Sequence, residues 1–255
     1  MVQTQLPTIG GLIALAAADN PDKSVLLASG RTALSYGTLY QQVLETVDKL
    51  NSLGFGRHDR VALMIPNGPE LAVALLAVAS GTVTAVLDSA ETKPELEALF
   101  KRLGIQVLIY LPSADGESAA VLSIAHAYGI PIIDLIPNVS GEAGTFTLSG
   151  INVSRTVEPG FAQPDDIASL STTSGTTSSV KIVPLLQSTF IQRNTLAIDY
   201  LRLTDTDRHL SVAPLHHQAG QSQLMRTVAS RSSIMQLPGF EVNSFFNWLG
   251  IIRRN

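Results

Sequence analysis

Short apolar runs alternate with helical patterns through the first half of the chain. The runs typical of buried strands are RVALMI at 60–65, VTAVLD at 83–88, IQVLIY at 105–110 and IPIIDLI at 130–136. Apolar residues at helical spacing precede and separate them, over 35–53, 70–81, 92–104 and 116–129. Parallel strands need long crossover connections, and helices usually supply them. The sequence therefore predicts an α/β fold of mostly parallel sheets covered by helices.

The composition is that of a globular chain with enough apolar material for a core. Of the 255 residues, 45% are hydrophobic and 15% are charged, and the net charge is −4. No basic patch stands out, so we expect no nucleic-acid partner. The absence of cysteine excludes a disulfide framework and thiolate chemistry.

The longest early apolar run is GLIALAAA at 11–18. It is too short to span a bilayer and follows no basic segment, so it predicts an amphipathic helix on the body of the protein. We therefore expect no transmembrane segment and no secretion, and a cytoplasmic or peroxisomal location.

The least ordinary stretch is SLSTTSGTTSSVKIVPL at 169–185, in which nine residues are Ser or Thr, one is Gly and one is Lys181. Hydroxyls and backbone N–H groups around a glycine suit phosphate oxygens, and the lysine adds charge. A packed structural turn is the alternative, and residue chemistry alone leaves both open. The strand-like flanks IASL and IVPLL favour a hairpin over a flexible linker. Neither the Walker A pattern nor the G-x-S-x-G nucleophile elbow fits this stretch.

A third pattern fits. The residues from Leu170 to Lys181 resemble the AMP-binding signature TSGTTGxPK of adenylate-forming enzymes, which include acyl-CoA synthetases, peptide-synthetase adenylation domains and luciferases. The match departs from the signature in having Ser178 for Gly, Val180 for Pro, Ile182 for Gly and Gln187 for the usual His.

Two further segments extend the resemblance in family order. Residues 33–78 look like the opening block of the family, and 212–240 are similar to its PLFHxxG segment, with His217 on the usual His and His216 replacing an aromatic residue. Ser178 and the VPLLQ that follows the lysine are most similar to the oxalate–CoA ligase branch, which is 4-coumarate–CoA ligase-like.

The resemblance implies that a carboxylate joins AMP with release of pyrophosphate, and that the acyl group then passes to the thiol of CoA. The protein would align the reactants and neutralise charge, because the substrate carboxylate is itself the nucleophile. The residues implied to hold the β- and γ-phosphates of ATP are Thr173, Ser174, Gly175, Thr176, Thr177 and Ser178. Lys181 is implied to pair with phosphate, and Thr177 to lie near magnesium.

His217 is implied to lie beside the acyl pocket and the forming adenylate. The residues alone favour another interpretation, in which His216 and His217 are a partly buried pair that holds a loop. Joint metal binding by the two is not expected, since neighbours on a strand point to opposite faces.

The resemblance also predicts the domain organisation. Residues 1–164 are expected to form the first α/β subdomain of the AMP-binding domain, and 165–255 the start of a second, incomplete subdomain that carries the phosphate loop. Family members are about twice this long, so the C-terminal domain is expected to be absent.

Two classes of function follow. One is an ATP-dependent acid–CoA ligase, present as its N-terminal part, which uses a small carboxylic acid, ATP, magnesium and CoA. The other is a non-catalytic truncated paralogue that acts at most as a nucleotide- or protein-binding module. We expect residues 1–255 alone to form no thioester. A doubly wound domain for another nucleotide is a third option, but the early strands lack G-x-G-x-x-G.

Overall fold

The computed structural model describes residues 7–111, 119–155, 157–173, 181–240 and 242–254. The helices are α1 (Ile9–Asp19), α2 (Tyr36–Ser52), α3 (Pro69–Ala79), α4 (Lys93–Leu103), α5 (Ala119–Ala127), α6 (Gln187–Leu201), α7 (Gln218–Ser230) and α8 (Val242–Arg254). The strands are β1 (Ser24–Leu27), β2 (Leu34–Ser35), β3 (Arg60–Met64), β4 (Val83–Val86), β5 (Val107–Tyr110), β6 (Ile132–Pro137), β7 (Phe146–Ser149), β8 (Ile167–Thr173), β9 (Lys181–Leu186), β10 (Arg208–Ser211) and β11 (Ser233–Gln236).

The larger sheet has seven strands in the order β7-β6-β5-β3-β4-β8-β9. The five strands from β6 to β8 in this order are parallel, and the edge strands β7 and β9 are antiparallel to their neighbours. Because β3 is buried on both faces, its side chains alternate between two cores: Val61 and Leu63 in one, Ala62 and Met64 in the other. The predicted α/β fold with a mostly parallel sheet is confirmed.

The smaller sheet has four strands in the order β10-β11-β1-β2, with β2 antiparallel to β1. The sequence patterns do not predict β1 and β2, because runs of four and two residues are too short to show a period. Each sheet contains strands from both sides of residue 164, so the predicted division at that residue does not coincide with the division into sheets. As a division into subdomains it stays a prediction.

Helix α3 lies in the main core, in contact with both sheets. Every residue from Leu71 to Ala79 is buried, as expected for a helix that is apolar nearly all round. It contacts β3 and β4 of the larger sheet and β11 of the smaller one. Helices α4 and α5 cover the opposite face of the larger sheet, so both of its faces are covered.

Helix α1 packs on the body of the protein, as predicted, and buries Ile9, Ile13, Ala16 and Ala17. The predicted amphipathic character is wrong, because its exposed side is apolar as well and carries Leu15. None of the helices that the structure describes is long and apolar enough to cross a membrane.

Candidate functional site

The predicted hairpin around the hydroxyl-rich loop is confirmed. Strands β8 and β9 pair antiparallel, and the last pair in register joins Thr173 to Lys181. The carboxyl end of β8 therefore leads directly into residues 174–180. These residues, which include the predicted phosphate contacts Ser174, Gly175, Thr176, Thr177 and Ser178, lie outside the described part of the chain.

Lys181 begins β9 and is exposed. Among the residues that the structure describes, no carboxylate lies within ion-pair distance of its Nζ. The charge therefore stands beside the two ends of the loop without a protein partner in the described chain, and it is available to an anion held there.

The start of α7 is attached to the strand that enters the loop. Gln218 Nε2 donates to Ser171 Oγ at 3.1 Å, and Ser169 Oγ donates to Gln221 Oε1 at 3.2 Å. Gly220 lies in the same turn, where an added Cβ would approach Pro214 O to 2.5 Å. The first turn of α7 thus packs against the backbone of Pro214 on one side and is hydrogen-bonded to β8.

His217 is the N-cap residue of α7, and its exposed side chain makes no capping hydrogen bond. The structure therefore leaves its imidazole free to face a ligand at the start of the helix. No described contact joins His217 to Lys181, and its role beside an acyl pocket stays a prediction.

His216 is half-buried, and its Nε2 lies 3.5 Å from Asp88 Oδ2. Its ring meets that of His217 edge to face, with the centroids 4.1 Å apart. The premise that the two histidines lie on a strand and point apart is therefore wrong: they occupy the turn before α7. Burial lowers the pKa of His216, the Asp88 carboxylate opposes that effect, and His217 adds to it.

An acidic group beside this turn was missed by sequence reasoning. Asp88 and Glu91 follow β4, the strand next to β8. The pKa of Glu91 is raised to about 7 by burial and then by the neighbouring Asp88 and Glu95 carboxylates. Its Oε2 is buried and has no hydrogen-bond partner. Only the capping box of Thr92 and Glu95 is visible in the sequence, because Glu91 reads as a loop residue.

Asn67 joins the two sheets at the same end of the fold. Its Oδ1 accepts the N–H of Leu215 at 3.0 Å, and its Nδ2 donates to Leu237 O at 2.5 Å. The sequence predicts only a turn here, since the partners are 148 and 170 residues away. The segment that carries His216 and His217 is thereby held against the carboxyl end of β3, where ligands of open α/β sheets bind.

The described residues contain no group of three His, Cys, Asp or Glu side chains that could hold a metal ion. The predicted metal contact, Thr177, lies outside those residues, and it stays a prediction.

Comparisons with known proteins agree with the fold of this chain. The ATP-bound structure of MatB from Rhodopseudomonas palustris has a TM-score of 0.76 at 24% identity and covers 96% of this chain and 48% of its own. The inhibitor-bound N-terminal domain of FACL13 from Mycobacterium tuberculosis has a TM-score of 0.75 at 22% identity, and the match covers 95% of this chain and 60% of that one. At these identities the likeness shows a shared fold.

The sequence profile described as AMP-binding enzyme matches residues 13–255. The chain therefore belongs to the AMP-binding enzyme family, as the motifs predicted. Its curated relatives include a probable CoA ligase, CCL9, from Humulus lupulus, 29% identical over 252 residues, 94% of this chain and 46% of that protein. They also include an oxalate–CoA ligase from Arabidopsis thaliana, which is 30% identical over 226 residues; the match covers 84% of this chain and 41% of that protein. The chain thus spans less than half the length of these relatives.

Proposed function

We propose that this chain is the N-terminal, ATP-binding part of an acid–CoA ligase that forms AMP. In the first step, an oxygen of the substrate carboxylate attacks the α-phosphorus of ATP and pyrophosphate leaves. In the second step, the thiol of CoA attacks the acyl carbon, loses its proton and displaces AMP. Both steps transfer charge to phosphate oxygens, so cationic and N–H groups aligned with those oxygens would stabilise them.

The observation that carries the proposal is the pairing of Thr173 with Lys181 at the two ends of the hydroxyl-rich loop. This register brings the backbone of Lys181 back to the point where β8 ends. Backbone N–H groups and hydroxyls of such a loop suit the β- and γ-phosphates, and Lys181 supplies a point charge. The family membership and the relatives named as CoA ligases support the same assignment.

His217 is proposed to lie beside the carboxylate of a small acid substrate. It is exposed at the N-terminus of α7, where the helix dipole favours an anion. Its neighbour His216 is held by Asp88, so the interpretation as a loop-holding pair applies to His216 and leaves the His217 imidazole available.

Magnesium and CoA are part of the proposal. Magnesium takes oxygen ligands, and nucleotide phosphates commonly supply several of them, with Thr177 as the proposed protein contact. When bound, the ion would neutralise phosphate charge. CoA is proposed as the acyl acceptor because the curated relatives are named CoA ligases.

Binding of magnesium–ATP to residues 1–255, measured by isothermal titration calorimetry, tests the proposal. Lys181→Met should weaken binding about 10- to 100-fold, because one charge-assisted contact to phosphate is lost. Lys101→Met is the matched control, since Lys101 lies in the last turn of α4 and pairs with Glu97. Equal ATP affinity in the wild type and in Lys181→Met would remove Lys181 from the phosphate site.

A second assay separates the two classes of function. Pyrophosphate release with ATP and small carboxylic acids, oxalate among them, reports adenylate formation. ATP binding without pyrophosphate release from any acid would favour a nucleotide-binding module over the ligase.

A further inference from the structure

The interface between β8 and α7 is polar although it is buried. Ser169 and Ser171 are 1% and 5% exposed, and Gln221 is 2% exposed. Strands inside a parallel sheet are usually apolar, and a buried polar group is costly unless it is hydrogen-bonded. Polar side chains at these positions therefore call for a specific explanation.

Hydrogen bonds determine the orientation of both glutamine amides. Gln221 accepts from Ser169 through Oε1 and donates through Nε2 to Leu215 O at 2.9 Å. Gln218 donates through Nε2 to Ser171 and accepts through Oε1 from Arg193 Nη1 at 3.0 Å. Each amide has one partner whose polarity cannot reverse: the Leu215 carbonyl accepts from Gln221, and the Arg193 guanidinium donates to Gln218. A flip of either amide would lose that bond, whereas a serine hydroxyl can either donate or accept.

The second guanidinium nitrogen of Arg193 completes the arrangement. Its Nη2 donates to Ser222 Oγ at 3.0 Å, one helical turn after Gln218. Helix α6, which follows β9, is thereby joined to the same turn of α7 that contacts β8.

The spacing of these contacts defines one register for the helix on the strand. The two glutamines are three residues apart on a helix, about 4.5 Å along its axis, and so share a face. The two serines are two residues apart on a strand, about 6.6 Å, and also share a face. A slip of α7 by one residue would turn it by about 100° and break both contacts. We call Ser169, Ser171, Gln218 and Gln221 the polar bridge.

The polar bridge joins the two parts of the candidate site. Ser171 lies two residues before Thr173, at the entry to the hydroxyl-rich loop, and Gln218 directly follows His217. We infer that Gln218 and Gln221 are positioning residues, which hold His217 at a set distance from the end of β8. This inference rests on the proposed function for the identity of the ligand, while the mechanical coupling is independent of it.

Hydrogen–deuterium exchange without nucleotide tests the coupling. The reporter is the amide of Gln221, which donates to His217 O at 3.2 Å. Ser171→Ala should speed exchange over 217–222 about tenfold, because it removes the contact with Gln218. Gln218→Leu also removes the bond from Arg193 and should speed exchange at least as much. Adding Ser171→Ala to Gln218→Leu should change nothing further, because the shared contact is already lost. Ser171→Thr, which keeps the hydroxyl, should behave as the wild type, as should Gln192→Leu on the exposed face of α6.

Two results would overturn the inference. One is unchanged exchange over 217–222 in both single variants. The other is equally faster exchange in the remote strand β5, which would show a general loss of stability instead of a local release.

The same experiment with magnesium–ATP separates the inference from the proposed function. In the wild type, ATP should slow exchange in β8, in β9 and over 217–222, whereas in Gln218→Leu only the two strands should be slowed. If ATP slows exchange in the two strands of the wild type but not over 217–222, the positioning role is refuted and ATP binding is not. No protection anywhere refutes ATP binding, and with it the positioning role toward a nucleotide.

Discussion

Glu91 should make the stability of this protein fall as the pH rises from about 4.5 to about 7. Its carboxyl group is partly buried after β4, with Oε2 unpaired and with Asp88 and Glu95 nearby. Burial and these two carboxylates raise its pKa from the ordinary 4.5 to about 7. Between these two values the folded state binds the proton more tightly than the unfolded state does, so stability decreases with pH and the full loss is present above pH 7.

The magnitude follows from the pKa. At about 1.4 kcal/mol per pH unit, the rise corresponds to an upper limit of about 3 kcal/mol. The carboxyl group is partly exposed, and solvent screening reduces this to about 1–2 kcal/mol. Glu91→Gln removes the ionisation while keeping the shape of the side chain. The variant should match the wild type at pH 4.5 and exceed its stability by about 1–2 kcal/mol at pH 8.

Urea unfolding at the two pH values measures this difference. Trp248 is the only tryptophan and packs against a core cluster of the smaller sheet, so its fluorescence reports the transition. Glu45→Gln on the exposed face of α2 serves as the control and should change little at either pH. The reasoning is refuted if Glu91→Gln gives the same gain at both pH values, or no gain at pH 8.

Two further variants test the packing around the site. Gly220→Ala should lower the free energy of unfolding by about 1–3 kcal/mol and weaken ATP binding, because the added Cβ would press on Pro214 O. Gly239→Ala, whose Cβ would meet nothing within 4 Å, is the control and should leave stability unchanged; thermal melts of both variants measure this. Asp166→Asn should cost about 2–4 kcal/mol in urea unfolding at pH 7, since Arg57 Nε donates to this largely buried carboxylate at 2.8 Å. Burial alone would raise the pKa of Asp166, but its hydrogen bond from Arg57 lowers it, so the stability it contributes is lost as pH falls through that lowered pKa; an unchanged difference between the two proteins from pH 7 to pH 3 would contradict this.

Much of the larger sheet can be predicted from the sequence, because its central strands are apolar runs bounded by helices. Strands β3 to β5 fall within three of the predicted runs, and β6 extends one residue past the end of the fourth, at 130–136. Strand β7 falls in a Gly- and Ser-rich segment, and its burial alternates over only four residues, too few to recognise.

The candidate site likewise has features that the local sequence predicts and features that only the folded chain shows. The loop and Lys181 are visible as a local motif, and the hairpin follows from the strand-like flanks. The contact between Ser171 and Gln218 joins residues 47 positions apart, and nothing in either local pattern marks it. Glu91 is missed for a related reason: its raised pKa comes from burial, which only the folded chain supplies.

The central claim is that magnesium–ATP binds where β8 ends and β9 begins. Titration of the nitrogen-15-labelled chain with magnesium–ATP, followed through its amide proton–nitrogen spectrum, tests it most directly. The account predicts that the largest shift changes fall on the amides of Thr173, Lys181 and Gln218, and that Lys181→Met reduces them. No shift changes, or changes confined to the polar cleft around Lys23 and Arg208, would contradict it.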